Sequence, residues 1–360
     1  MRIAVPKEIM NNENRVALTP SAADILIKDG HEVLVETAAG EGASFPDSDY
    51  EAVGATIVPS AAEAWAADMV VKVKEPLESE YGYLREDLLL FTYLHLAADR
   101  PLTEALMKAG TTAVAYETVT DSRGTLPLLT PMSQVAGRLA VTEGAHHLLS
   151  TEGGRGLLVA GVPGTRPARV VVIGGGQVGA SAVAMAQGLR AEVTVLDLDP
   201  HVLQRFDEQY HGNARTIVSD PAALESELLE ADLVIGAVLV PGAAAPKLVR
   251  EDVVQRMKKG AVLVDVAIDQ GGCFENSRKT SHDEPTFKVH DTIFYCVANM
   301  PGAVANTSAR ALGSATLPYI RAVAADGFDG AVERFPGLAN GLMTRGGELL
   351  SQPVKEAFGL

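Results

Sequence analysis

Three polar side chains early in the chain stand just beyond short apolar runs that read as strands, where ligands bind in open α/β sheets. Arg15 lies in Pro6-Lys-Glu-Ile-Met-Asn-Asn-Glu-Asn-Arg-Val-Ala-Leu-Thr-Pro20, a polar loop after the first run. Its guanidinium fork suits a bidentate grip on a carboxylate, and a solvated loop arginine is the plain alternative. Lys74 ends Val70-Val-Lys-Val-Lys74, just ahead of Glu75-Pro76. Alternation puts Lys72 and Lys74 opposite Val71 and Val73. Lys72 reads as solvated, whereas Lys74, at the strand end, can steer a carboxylate or polarise a carbonyl oxygen. His95 closes Leu88-Leu-Leu-Phe-Thr-Tyr-Leu-His95. An imidazole there exchanges protons near neutral pH, and a satisfied core histidine is the alternative. Tyr93, two residues earlier on the same face, is placed to support it.

A more specific pattern begins at Val170. An apolar strand runs into Gly174-Gly-Gly-Gln-Val-Gly179, a helix-length stretch follows, and Val-Thr-Val-Leu-Asp197 ends a second strand. Gly174 permits the tight turn, Gly176 lets backbone approach a pyrophosphate, and Gly179 lets the helix lie close on the strand. The helix N-terminus then points its amides at phosphate. Asp197 stands 23 residues after Gly174, where a carboxylate accepts the adenosine ribose hydroxyls. It would repel a 2′-phosphate, as would Asp199, so the expected cofactor is NAD rather than NADP.

Other residues fall in loops that would run along such a cofactor. Gln177 and Val178 lie in the turn itself, Ser219 after the third strand of that series, and Val238 and Leu239 in Val238-Leu-Val-Pro-Gly242. Asn299 and Met300 follow the last strand, and Ser133 opens a long helix. Asp269 lies in Asp265-Val-Ala-Ile-Asp-Gln-Gly-Gly272. A carboxylate there can take part in proton transfer, and closing its own loop is the alternative role.

Two series of alternating strands and helices position these groups. The first has strands at 2–5, 32–35, 56–58, 69–72, 88–92 and 112–115, with helices at 21–29, 60–66 and 102–109; Pro20 precedes a capping Ser21. A Gly-, Pro- and Thr-rich break at 120–131 leads to a helix at 133–150 and a Gly-rich turn at 152–164. The second series has strands at 170–173, 192–196, 216–218, 232–237, 261–265 and 293–296. Helices at 307–325 and 336–358 complete the chain. The expected fold is α/β with two doubly wound domains joined by long helices. A Rossmann dinucleotide-binding domain spans 131–305. A discontinuous, Rossmann-like substrate domain is built from 1–130 and 306–360, with a cleft between the two.

Composition narrows the function classes. A net charge of −16 argues against a nucleic-acid partner or an anionic membrane surface, because both need a basic face. No apolar run approaches the length of a membrane span, and the first residues already form a strand rather than a signal peptide. Cys273 and Cys296 lack metal-ligand spacing and read as buried thiols of a cytoplasmic protein. Among the histidines, His146 and His147 share the long helix, but no pair has zinc spacing with a third ligand, so no metal is expected.

The segments Pro-Lys-Glu-Ile…Asn-Arg-Val-Ala-Leu-Thr-Pro, Val-Lys-Glu-Pro, Thr-Tyr-Leu-His-Leu-Ala, Ala-Val-Leu-Val-Pro-Gly, Asp-Gln-Gly-Gly-Cys-Phe-Glu and Tyr-Cys-Val-Ala-Asn-Met-Pro closely resemble the NAD-dependent L-alanine dehydrogenases of the alanine dehydrogenase / transhydrogenase NAD-binding family. The resemblance runs through almost the whole chain, from Met1 to about Gln352. It implies reversible oxidative deamination of L-alanine to pyruvate and ammonium. It also implies that Arg15 and Lys74 bind the substrate carboxylate and the pyruvate oxygen, and that His95 and Asp269 carry the acid–base chemistry. By the same resemblance Asp197 holds the ribose, Ser133 and Asn299 touch the cofactor, and the assembly is a homohexamer. The chain departs at the turn, where Gly-Gly-Gly-Gln-Val-Gly replaces the family's usual Gly-Ala-Gly-Thr-Ala-Gly. A dehydrogenase of another small amino acid and a non-catalytic NAD sensor are the rival readings.

Overall fold

A computed structural model describes residues 1–238 and 245–359, and they divide into two compact units. Unit 1 comprises Met1–Met132 and Gly302–Leu360, and unit 2 comprises Ser133–Pro301. Unit 1 opens with β1 (Arg2–Val5), β2 (Glu32–Glu36), β3 (Thr56–Val58), β4 (Met69–Val71), β5 (Leu89–Thr92) and β6 (Thr112–Ala115). Unit 2 contains β7 (Arg169–Ile173), β8 (Glu192–Asp197), β9 (Ala214–Val218), β10 (Leu233–Gly236), β11 (Val262–Asp265), β12 (Thr286–Val289) and β13 (Thr292–Tyr295). The chain then returns to unit 1 with β14 (Leu342–Arg345) and β15 (Glu348–Leu349).

The unit 1 sheet has the order β15-β14-β6-β5-β4-β1-β2-β3, and the unit 2 sheet β12-β13-β11-β10-β7-β8-β9. Neighbours are parallel except at β6–β14, β14–β15 and β12–β13. Helix-covered parallel strands are buried on both faces, and β10 and β11 are buried at every residue. Small and branched aliphatic side chains therefore make up most of both cores. Each sheet reverses direction beside its first strand, between β1 and β4 in unit 1 and between β7 and β10 in unit 2. Such switch points leave a crevice outside the carboxyl ends of the strands.

Three expectations need correction. The helix near residue 20 is Pro20–Lys28, capped by Thr19, whose Oγ1 accepts the Ala22 N–H. Proline takes the first helical position because it has no N–H to leave unpaired, so Ser21 is not the cap. Residues 336–358 do not form one helix. A 3-10 turn at Pro336–Gly341 and the β14–β15 hairpin precede a short helix, Gln352–Phe358. The unit 2 sheet gains a seventh strand, β12, antiparallel at its edge. β5 ends at Thr92 as expected, so His95 lies in the loop beyond the strand.

Cys273 and Cys296 are free and buried, and burial pushes both thiols up, Cys296 to about 12. Among the described residues no helix is long and apolar enough to cross a membrane.

Candidate active site

In unit 1, β6, β5, β4 and β1 lie side by side and parallel, so the loops that follow them emerge on one edge. The loop after β1 carries Glu8, Glu13 and Arg15. Arg15 is only 3% exposed, which excludes a solvated surface arginine. Glu13 takes its Nε and Nη2 hydrogens in a two-point clasp (2.7 and 2.5 Å), and Nη1 donates to the Met132 sulfur at 3.2 Å. Burial alone would lower the guanidinium's pKa, but the hydrogen bonds and charge of Glu13 more than offset it and the pKa is raised. The result is a permanently charged fork held in a fixed orientation.

The loop after β4 overturns one expectation outright. Lys72 is not solvated: it is 1% exposed and pairs with Glu80 at 2.9 Å and Glu8 at 3.2 Å. β4 ends at Val71, so the strict alternation of strand faces stops before Lys72. Glu8 also reaches across to accept the N–H groups of Val73 (2.6 Å) and Lys74 (3.3 Å). Its carboxyl is raised by burial, against the pull of Lys72 and the Val73 amide. These bonds fix the backbone that presents Lys74, which is half-buried. Among the described residues its ammonium makes no ion pair.

His95 sits in the loop after β5 with a left-handed backbone (φ 49°). Its side chain is 50% exposed, with Nδ1 3.8 Å from a Glu117 oxygen, so it is not a core histidine. Glu117, in the loop after β6, also accepts the backbone N–H groups of Leu94 and His95, the latter at 2.7 Å. Tyr93 lies with its ring parallel to the imidazole, 6.0 Å between centroids. Burial raises the Tyr93 phenol, whose hydroxyl donates to the Leu128 carbonyl at 2.6 Å.

In unit 2 the residues picked for a dinucleotide also line one edge, in the strand order β13, β11, β10, β7, β8, β9. Gly174 has φ 95°, and a Cβ there would sit 2.9 Å from the Ala237 carbonyl oxygen. At Gly179 a Cβ would run into the Gly174 carbonyl, whereas at Gly176 it would meet nothing within 4 Å. The protein's own packing therefore demands Gly174 and Gly179, while Gly176 keeps a space clear. The helix Gln177–Gly188 starts there with no side-chain cap, leaving its first amides for an anion. Gln177 is exposed and Val178 half-buried. Asp197 accepts from the Gly175 N–H through Oδ2 (2.6 Å) and from the Asp199 N–H through Oδ1 (2.9 Å). Its own carbonyl accepts the Ser219 N–H. These residues fit a dinucleotide on the observation of the open Gly176 cradle.

Ser133 is half-buried in the first turn of the helix Thr130–His147, and Val238 follows β10. Leu239 lies outside the described residues. Asn299 has a left-handed backbone (φ 59°), and Met300 is buried. Asp269 is exposed in the 3-10 turn Val266–Gln270. It does not close that loop, because Asp265 does. The buried Asp265 carboxyl accepts from the N–H groups of Ala267, Cys273 and Phe274 and from the Ser277 hydroxyl. Among the described residues the Asp269 carboxylate accepts no hydrogen bond.

Family models fall on both units. One described as "Alanine dehydrogenase/PNT, N-terminal domain" matches residues 4–136, and one described as "Alanine dehydrogenase/PNT, C-terminal domain" matches residues 140–352. The chain belongs to the alanine dehydrogenase/PNT family. An alanine dehydrogenase of Mycolicibacterium smegmatis is 54% identical over 361 residues, covering 100% of this chain and 97% of that protein. A solved structure titled L-alanine dehydrogenase superposes with a TM-score of 0.97 at 50% identity, covering 100% and 99% of the two chains. A transhydrogenase from Sinorhizobium meliloti, also solved, gives 0.82 at 26%, covering 98% and 99%.

Glu8, Glu13, Glu117 and Met132 drew no functional expectation in sequence, and Lys72 was expected in solvent. The near-neighbour pair Glu13-x-Arg15 carried a signal for the clasp. The Glu8–Lys72 and His95–Glu117 pairs are far apart in the chain and carried none.

Proposed function

We infer that this chain is an NAD-dependent L-alanine dehydrogenase: L-alanine, NAD⁺ and water give pyruvate, ammonium, NADH and a proton. The observation that carries the reading is the set of charged groups on adjacent parallel strand ends of unit 1, in a chain with full-length alanine dehydrogenase relatives. Unit 1 is the substrate domain and unit 2 the NAD-binding domain. Arg15, oriented by Glu13, grips the substrate carboxylate. Lys74, presented by the Glu8-bonded backbone, binds the oxygen of pyruvate and of the carbinolamine that precedes it. Gly174, Gly176, Gly179 and the uncapped helix end hold the pyrophosphate. Asp197 holds the ribose, and Gln177, Val178, Ser133, Ser219, Val238, Leu239, Asn299 and Met300 line the remainder of the cofactor.

When bound, NAD supplies the acceptor for the hydride of the alanine α-carbon. His95 and Asp269 serve the steps that follow on the substrate. A proton leaves the water whose oxygen bonds to the imine carbon, and a proton reaches the nitrogen as its bond to that carbon breaks. Glu117 orients the imidazole for these transfers. Arg15 and Lys74 fix the α-carbon in place throughout, which converts binding into rate.

A panel of amino acids assayed by NADH absorbance tests the activity; L-alanine is expected to be the preferred substrate, and no turnover with it would sink the reading. Lys74→Ala tests the site. Losing one preorganised donor to a developing oxyanion costs about 10²–10³ in rate, and among the described residues Lys74 makes no ion pair whose loss would unfold the loop. Near-parental alanine oxidation would remove Lys74 from the mechanism. Asp197→Ser tests cofactor choice. The NAD-over-NADP preference is expected to fall at least about tenfold, because a like-charge clash is worth several kcal/mol. An unchanged ratio would show that another group excludes the 2′-phosphate.

A homohexamer and a cytoplasmic location complete the proposal. The two buried, protonated thiols support a reducing compartment. Light scattering should return six times the chain's 37.8 kDa.

A further inference from the structure

The glycine-rich stretch after the long helix plays no part in the reaction described above, yet the fold gives it a chemical consequence. The helix Thr130–His147 ends on two adjacent histidines, and the chain folds straight back over them. The N–H of Gly154 donates to the Leu149 carbonyl at 3.0 Å and that of Gly156 to the Leu148 carbonyl at 2.8 Å. A Cβ at Gly154 would strike the His147 carbonyl oxygen, so only glycine allows so close a return. The 3-10 turn Ser150–Glu152 thereby brings Glu152 beside the histidine pair. The third ligand that the spacing in sequence lacked is supplied by the turn.

We propose that His146, His147 and Glu152 form a binding site for a divalent first-row transition ion, with Zn²⁺ as the natural probe. One ligand atom from each residue lies within 4.8 Å of the other two. His146 Nε2 and Glu152 Oε2 are 3.8 Å apart, and the two imidazoles meet at 66° with centroids 5.1 Å apart. Two imidazoles and a carboxylate are a zinc donor set, with bonds of about 2.0–2.2 Å. A tetrahedral centre with such bonds spaces its ligands about 3.4 Å apart. His146 and Glu152 are exposed, so their side chains are the ones that would adjust to that spacing. The third ligand is already fixed. His147 is buried against the Tyr295 ring, 5.7 Å between centroids, and makes no hydrogen bond through its imidazole among the described residues. No lysine or arginine pairs with Glu152 there, so a cation would meet no resident competitor.

The site is separate from the dinucleotide edge. One helical turn earlier, Gly144 packs against Leu233, the first residue of β10, which places it at the amino end of the sheet. Ser133 stands at the other end of the same helix, about 20 Å away at 1.5 Å per residue. An ion here would tie the helix end to the returning loop.

Titration of tag-free, full-length protein, stripped with chelator and exchanged into chelator-free buffer, tests the proposal. Calorimetry with ZnCl₂ is expected to show one ion per chain, and CoCl₂ to give the visible bands of a tetrahedral Co²⁺ centre. His146→Gln and Glu152→Gln alter exposed side chains and should leave circular dichroism unchanged. Each should weaken Zn²⁺ binding at least about tenfold, since even changes outside the ligand shell cost that much. His147→Ala should do the same. His201→Ala, an exposed histidine on another helix, should bind like the parent. The proposal is overturned by absent stoichiometric binding, by binding that survives all three ligand changes, or by an equal loss in the His201 variant.

Discussion

Asp269→Asn is expected to lower kcat for alanine oxidation by about 10²–10⁴, the usual contribution of a positioned general acid or base. The change is nearly isosteric and leaves a polar group in the loop, so it removes proton transfer and little else. The loop's architecture supports that separation. Asp265 accepts three backbone N–H groups and a hydroxyl, whereas Asp269 is exposed at the end of the 3-10 turn. The variant should therefore bind NADH as the parent does and unfold at the same temperature. Because the lost interaction operates in the chemical steps, kcat and kcat/KM should fall together while KM stays near its parental value. Activity close to the parent's would assign the proton transfers to His95 alone. The mirror experiment is Asp265→Asn, where the opposite pattern is expected. Burial raises the Asp265 carboxyl against its hydrogen bonds, and weakening those acceptors loosens the whole 265–277 segment. That variant should lose stability first and activity only as a consequence.

The legible parts of this molecule are those where backbone chemistry repeats over short distances. Apolar runs of parallel-strand type announced twelve of the strands, and the glycines at 174 and 179 follow from backbone contacts of the turn itself. Edge strands were harder. β12 and β14–β15 are short and antiparallel, and the burial of β12 is intermediate or exposed throughout, so no continuous apolar run marks it. The Gly346-Gly347 pair, both with positive φ, was the readable signal for the last hairpin. A two-residue glycine turn between short strands outweighs the helical period there.

Side-chain environment was the least legible. Lys72 and Lys74 look alike in sequence, yet one is buried between two carboxylates and the other is half-exposed. The difference arises because β4 stops at Val71 and because Glu8, on a strand-end loop 64 positions earlier in the chain, bonds the backbone beyond it. His95 shows the same limit. The strand stops at Thr92, where its apolar run ends, but nothing in that run announces that Glu117 draws the following amides into a left-handed turn. Pairings of this kind depend on strand order, which single-residue spacing does not carry.

Lys72→Met is expected to destabilise unit 1 by about 3–5 kcal/mol, the cost of leaving buried charge without its partner. In the parent, one ammonium faces Glu80 at 2.9 Å and Glu8 at 3.2 Å with almost no solvent. Burial pulls the Lys72 pKa down, but the charges of Glu8 and Glu80 more than offset it, and the value lies above the usual 10.5. A pKa raised on folding gives stabilisation that is complete below the unfolded value and is lost as pH rises through the folded one. The parent should therefore lose denaturant resistance on the alkaline side of about 10.5, and the variant should lack that alkaline loss. Adding Glu8→Gln and Glu80→Gln to Lys72→Met removes the stranded charges and should recover most of the stability. Glutamine at position 8 still offers a carbonyl oxygen to the Val73 and Lys74 amides, so the segment presenting Lys74 should keep its course. Recovery of alanine oxidation along with stability would then mark the triad as a support for Lys74. Recovery of stability without activity would instead mean that the charge on Glu8 or Lys72 acts on the substrate itself. A denaturant midpoint unmoved by Lys72→Met would show that Glu8 is already neutral enough to need no partner.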